Sequence, residues 1–228
     1  MEMKSSKTAA QAVMRQLIIT WTDFESRLLK VPIIERIMRD QLQLEDYRQI
    51  LLNHRQQVIE GSRWIARASS SIDNRYPELR STFIRHANTE HRDYQMLDAN
   101  YLSVGGDVET LANSEKNIGS EALSAWMFHQ ASQPNPFDLL GAMFIIEGLG
   151  KQFARTFAQK IQKQLRLSDD QVSFYLYHAD HDEEHIGELE DALQSGILSD
   201  DGLAGRIAKT ARVTARLYLL QLEELGNY

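Results

Sequence analysis

Residues 177–185 read Tyr177-His178-Ala179-Asp180-His181-Asp182-Glu183-Glu184-His185, which holds three of the chain's seven histidines and four acidic residues. His178, Asp182 and His185 stand at i, i+4 and i+7. On a helix these offsets fall within about 60° of one another. The same stripe carries Phe174 one turn earlier and Leu189 and Leu193 later, so it is the face turned to the core. Two imidazoles and a carboxylate aimed inward need charge compensation, and a divalent metal ion is one way to supply it. His181 lies about 60° off the stripe, and Glu183 and Glu184 point away from it; these three are expected at the surface.

A second segment carries a similar set. His86, Glu90 and Asp93 again stand at i, i+4 and i+7, on a stripe with Leu79, Phe83, Leu97 and Tyr101. A third adds Glu147, on a stripe with Leu140, Met143, Ala154, Ala158 and Ile161, with Gly148 and Gly150 close by. Three helices thus direct carboxylates inward, and two direct imidazoles. Hard carboxylate oxygens with imidazoles suit iron or manganese, and a set this rich can neutralise two dications. The expected metal shell is Glu90, Asp93, Glu147, His178, Asp182 and His185, with His86 as an additional or alternative ligand. His54 and Tyr175 are candidates for lining a substrate pocket. The competing expectation is structural: an acidic helix face that meets water, and a His86 paired with Asp93 or with an arginine such as Arg92. His91 and His129 are expected to be surface or structural.

The elements that must position these residues are helices. Four prolines occur, at positions 32, 77, 134 and 136, each where a helix would begin or end. Between them apolar residues recur three and four apart, and no convincing alternating strand appears. Seven main helices are expected: 8–30, 44–70, 77–104, 121–131, 136–165, one capped by Ser168 or Asp169 and reaching about Gln194, and one capped by Asp200 or Asp201 and reaching about Leu225. Pro32 opens a short extra helix to Arg39, and a helical turn is expected near 108–112. Gly105-Gly106-Asp107 ends the third helix.

The chain has 228 residues, 43% of them hydrophobic, enough for one substantial core. With no linker or repeat, a single all-α domain over 1–228 is expected. The net charge of −7 gives no electrostatic footprint for nucleic acid or for an acidic membrane. No apolar run approaches the roughly 18 residues of a membrane span. Met1 to Thr20 has no signal-peptide pattern, so the expected location is the cytoplasm. The absence of cysteine removes disulfides, thiolate metal sites and cysteine nucleophiles together.

Glu147 in an apolar helix with nearby glycines, followed by His178-x-x-x-Asp182-x-x-His185, resembles the haem-oxygenase-like diiron oxidases. These share a superfamily with TENA-type thiaminases and pyrroloquinoline-quinone synthase. The resemblance covers most of the chain in helix order. It implies a haem-oxygenase-like helical bundle and a non-haem site with two irons per chain, manganese being possible in their place. It also implies dioxygen and a small organic molecule as reactants, and a homodimer. The family usually takes Glu-x-x-His or Glu-x6-His from the earlier helix; here the same helix has Glu90-x-x-Asp93 or His86-x6-Asp93. That exchange keeps a ligand and adds negative charge. The thiaminase branch uses a cysteine that this chain lacks. Haem oxygenases hold iron through a histidine on the N-terminal helix, and the earliest histidine here is His54, so no haem is expected. The alternative within the superfamily is a metal-free protein, either a cofactorless oxidase or a non-catalytic binding module.

Overall fold

The computed structural model describes residues 2–200 and 202–226, and within these the side chains outside 2–7 and 182–186. The described residues form helices and turns with no strand. The first helix, α1 (Glu2–Leu28), buries Val13, Leu17, Phe24 and Leu28 at helical spacing. A short α2 (Pro32–Met38) starts on its proline, and α3 (Leu44–Ser71) starts on a capping box in which Gln43 and Asp46 exchange hydrogen bonds with each other's backbone. α4 (Pro77–Glu90) and α5 (Tyr94–Ser103) follow. Asp107 caps α6 (Val108–Asn113) and Asn117 caps α7 (Ile118–Ala131), each accepting from a backbone N–H three residues on. A 3-10 turn at Phe137–Leu139 leads into α8 (Leu140–Leu149), a π-helical turn (Gly150–Ala154) and α9 (Arg155–Leu165). The chain closes with α10 (Ser173–Gln194) and α11 (Leu203–Glu223).

The bundle is built on two hubs. α3 packs against α4, α5 and α7, while α11 packs against α1, α7 and α8. α10 lies across α4, α5, α8, the π turn and α9. One contiguous apolar cluster runs through all of these helices. Close approach to α11 is set by two glycines. A methyl group at Gly141 would stand 2.1 Å from the Ile207 carbonyl oxygen, and one at Gly119 would stand 2.2 Å from the Gln221 backbone nitrogen.

Three differences from the sequence expectation bear on the site. The helix expected over 77–104 is two helices, broken at residues 91–93. There the Asp93 N–H bonds the Glu90 carbonyl at 3.2 Å, an i→i+3 tightening that no glycine or proline announces. The helix expected over 136–165 opens with a 3-10 turn and, past Glu147, widens at Gly150 into a π turn. Gly202, at φ 80°, stands at the N-terminus of α11 where an aspartate cap was expected; Asp200 instead accepts from the Arg206 side chain at 2.9 Å.

Candidate metal centre

Glu90 is the last residue of α4, and Asp93 is the last residue of the break, immediately before α5. Because the chain tightens between them, both side chains reach α10. One ligand atom each from Glu90, Asp93 and His178 lies within 4.8 Å of the other two. Asp93 Oδ2 is 3.4 Å from His178 Nε2. On the other side of Glu90, His86 Nε2 is 3.3 Å from Glu147 Oε1, which joins α4 to α8. His86, Asp93 and Glu147 are buried, with relative exposures of 3%, 7% and 8%. Arg92, a structural alternative partner for this group, is exposed and donates to His91.

The electrostatics of the cluster are those of excess negative charge. Burial, and next the carboxylate of Glu147, push Glu90 up to about 7, against the opposing pull of His178 and His86. Asp93 Oδ2 is buried, and among the described residues nothing donates a hydrogen bond to it. Three carboxylates and two imidazoles gathered in the core form an oxygen-rich donor set that a hard or borderline dication would neutralise. Donor atoms shared by one such ion at about 2.0–2.4 Å stand up to about 4–5 Å apart, which the Glu90–Asp93–His178 spacing matches. The residues present therefore fit a metal ion. Asp182 and His185, the other two expected ligands, belong to α10 but lie outside the described side chains. His181, His91 and His129 are exposed.

Two cavities meet at this cluster. The larger encloses about 900 Å³ of empty space, counting the part open to solvent, and is lined by aliphatic and aromatic side chains with His54, Gln57, Tyr175 and Tyr218. The smaller, about 640 Å³ on the same measure, is bordered by Trp64, Ile65, Met127 and Met143 with His86. Gln57, Val58, Glu90, Ile146 and Glu147 line both, so the acidic cluster forms part of the wall between them. His54 and Tyr175, expected in a pocket, both line the larger cavity, 3.3 Å apart from Nδ1 to the hydroxyl oxygen. Burial and the nearby His178 push His54 down to about 3, so it is neutral at physiological pH; burial raises the Tyr175 hydroxyl well above its usual range.

Gln57, Tyr218 and the second cavity do not emerge from the sequence expectation. The available signal was polar residues on buried stripes. Gln57 follows His54 by three positions in α3, and Tyr218 shares its face of α11 with Ala211, Ala215 and Leu222.

Similar proteins share this architecture. A haem-oxygenase-like domain of unknown function from Shewanella denitrificans OS217 superposes with a TM-score of 0.82 at 18% identity, covering 94% of this chain and 90% of that one. A TenA homologue from Pseudomonas syringae pv. tomato DC3000 gives 0.70 at 16% identity, over 94% and 93% of the two chains. The TenA homologue from P. horikoshii OT3 gives 0.67 at 15%, over 94% and 96%. These likenesses establish a haem-oxygenase-like fold. No curated protein matches the chain. Residues 86–219 match a family described as iron-containing redox enzymes. That region is more than half of the chain and spans the segments that bring Glu90, Asp93, Glu147 and His178 together, so the chain belongs to the family of iron-containing redox enzymes.

Proposed function

We propose that the protein is a non-haem iron oxidoreductase that holds two irons and uses dioxygen to oxidise a small organic substrate bound in the larger cavity. The observation that carries this reading is the convergence of Glu90, Asp93 and His178 from α4, the break after it and α10. Glu147 and His86 would supply a carboxylate and an imidazole on the Glu90 side of the site, and His178 would supply an imidazole from α10. Asp182 and His185 would complete the shell from the next turns of α10. Iron bound there supplies the capacity to reduce dioxygen and to withdraw electrons from the substrate. Manganese suits the same donors.

The chain's own residues would do the rest. The aliphatic lining of the larger cavity excludes water from the reacting end, which strengthens every charge interaction there. Glu90 lines both cavities, and its raised proton affinity would let it hold a proton in the metal-free protein and give that proton up to solvent when a cation binds. Neutral His54 and the Tyr175 hydroxyl give the larger cavity a polar edge opposite its apolar lining.

Anaerobic loading with ferrous ion, followed by metal analysis, tests the proposal. About two irons per chain, bound with micromolar or tighter affinity and reduced in number by His178→Ala, are expected. Less than one iron per chain, with His178→Ala indistinguishable from wild type, sinks it. Dioxygen consumption that survives exhaustive chelation would instead support a cofactorless oxidase.

A further inference from the structure

The larger cavity has a polar side that the metal site does not use. Among the described residues no lysine or arginine lines it. Most of its wall is aliphatic or aromatic, including Ile34, Ile50, Phe157 and Leu222. Such a chamber offers nothing to balance an anionic group away from the metal end, and burying an unbalanced charge there would be costly. The polar groups outside the metal end are His54 and Tyr175, which bond each other, and Gln57 and Tyr218.

Tyr218 adjoins a group of polar side chains from α7, α11 and α3. Ser120 Oγ lies 2.8 Å from Asn53 Oδ1 and 3.0 Å from Gln221 Oε1, two acceptors that share its single proton. Gln221 Nε2 donates to Gln57 Oε1 at 2.7 Å. Gln57 so held lies beside the Tyr218 hydroxyl. Among the described residues that hydroxyl donates to no protein acceptor, so its proton is available to a molecule in the cavity. The ring is held by an edge-on contact with Phe24, 6.1 Å between centroids, and it lines the cavity.

We propose that Tyr218 is the recognition donor of the larger cavity, presenting its O–H to a neutral acceptor oxygen (carbonyl, ether or hydroxyl) on an otherwise apolar substrate. The proposal rests on reading the larger cavity as the substrate chamber. It does not depend on iron, so its test is run on the metal-free protein. The probes are octane and 2-octanone, whose binding is followed by displacement of a neutral fluorescent dye. Tyr218→Phe is expected to weaken 2-octanone by about five- to tenfold, the worth of one neutral hydrogen bond, and to leave octane unchanged. The carbonyl stretch of bound, isotope-labelled 2-octanone is expected at lower wavenumber in wild type and at its apolar-solvent position in Tyr218→Phe. A purely structural role for Tyr218 would not produce that difference. Equal effects on both probes, or no effect on either, overturn the proposal. So does a wild-type carbonyl stretch at the apolar-solvent position, and that measurement decides the matter should Tyr218→Phe fail to fold. If neither probe binds wild type, the substrate-chamber reading falls and the proposal with it; the iron reading is judged separately, by metal analysis.

Discussion

His54 and Glu90 are the two residues whose proton affinities folding alters most usefully, and they act in opposite directions. His54 falls from an ordinary 6.5 to about 3 on folding. Its contribution to stability is complete above pH 6.5 and is lost as the pH falls toward 3, because only the unfolded chain takes the proton. Glu90 rises from 4.5 to about 7 in the metal-free protein. Its contribution is complete below pH 4.5 and is lost as the pH rises through 7, because there the folded state must give up a proton it holds tightly. Each tenfold change in affinity corresponds to about 1.4 kcal/mol, so the two effects largely cancel between pH 4.5 and 6.5. Single variants separate them. Denaturant titrations of metal-free His54→Phe should show less loss of stability between pH 6.5 and 4 than wild type. Those of metal-free Glu90→Gln should show less loss between pH 5 and 8. A wild-type pH profile retained by both variants would contradict the assignment.

At the scale of elements, two departures from regular helix hold the site in register. The π turn at Gly150–Ala154 follows Glu147 and precedes Phe157 and Ile161, which line the larger cavity. A π turn carries a residue more than the α-helix needs. Deleting exposed Lys151 would return the segment to α geometry and rotate Phe157 and Ile161 by about 100° relative to Glu147. Metal stoichiometry and octane affinity should therefore both fall in the deletion variant, even where far-ultraviolet circular dichroism is unchanged. Gly141 makes a different contribution, by letting α8 lie directly against the backbone of α11. Gly141→Ala forces the helices apart, since the obstructing atoms belong to the main chain and cannot rotate away. A cost of about 1–3 kcal/mol in chemical denaturation is expected. The break at 91–93 works the same way for Asp93, which a straight helix would present at a different angle to His178.

For the molecule as a whole, the candidate metal centre ties together segments that are far apart in sequence. Glu90 and Asp93 belong to one region of the bundle, Glu147 to α8 and His178 to α10, and α10 itself spans α4, α5, α8 and α9. Iron bound by such a set stabilises the folded chain alone, by an amount that grows with free metal concentration. Calorimetry should record a rise in Tm with added ferrous ion that is absent in His178→Ala. Equal Tm values with and without the ion, at concentrations where metal analysis records binding, would mean that the ion sits elsewhere. Among the described residues no helix is long and apolar enough to cross a membrane.

Much of this was local and therefore legible. Periodicity along a helix is a property of neighbouring residues, so the stripes carrying His86, Glu90 and Asp93, then Glu147, then His178 could be read from spacing alone, as could the all-α class and the helix starts at Pro32 and Pro77. Sequence also determined that no thiolate could take part. What only the tertiary structure decided depends on how helices are offset against one another. That includes the pairing of His86 with Glu147 and of Asp93 with His178, the break that separates Glu90 from Asp93, and the two cavities that share the acidic wall. It includes the meeting of Ser120, Gln221 and Gln57 beside Tyr218, which joins α7, α11 and α3. The physical reason is the same throughout. A helix face is set by its own few turns, whereas the angle and height at which two faces meet are set by close packing across the bundle, down to the missing side chains of Gly119 and Gly141.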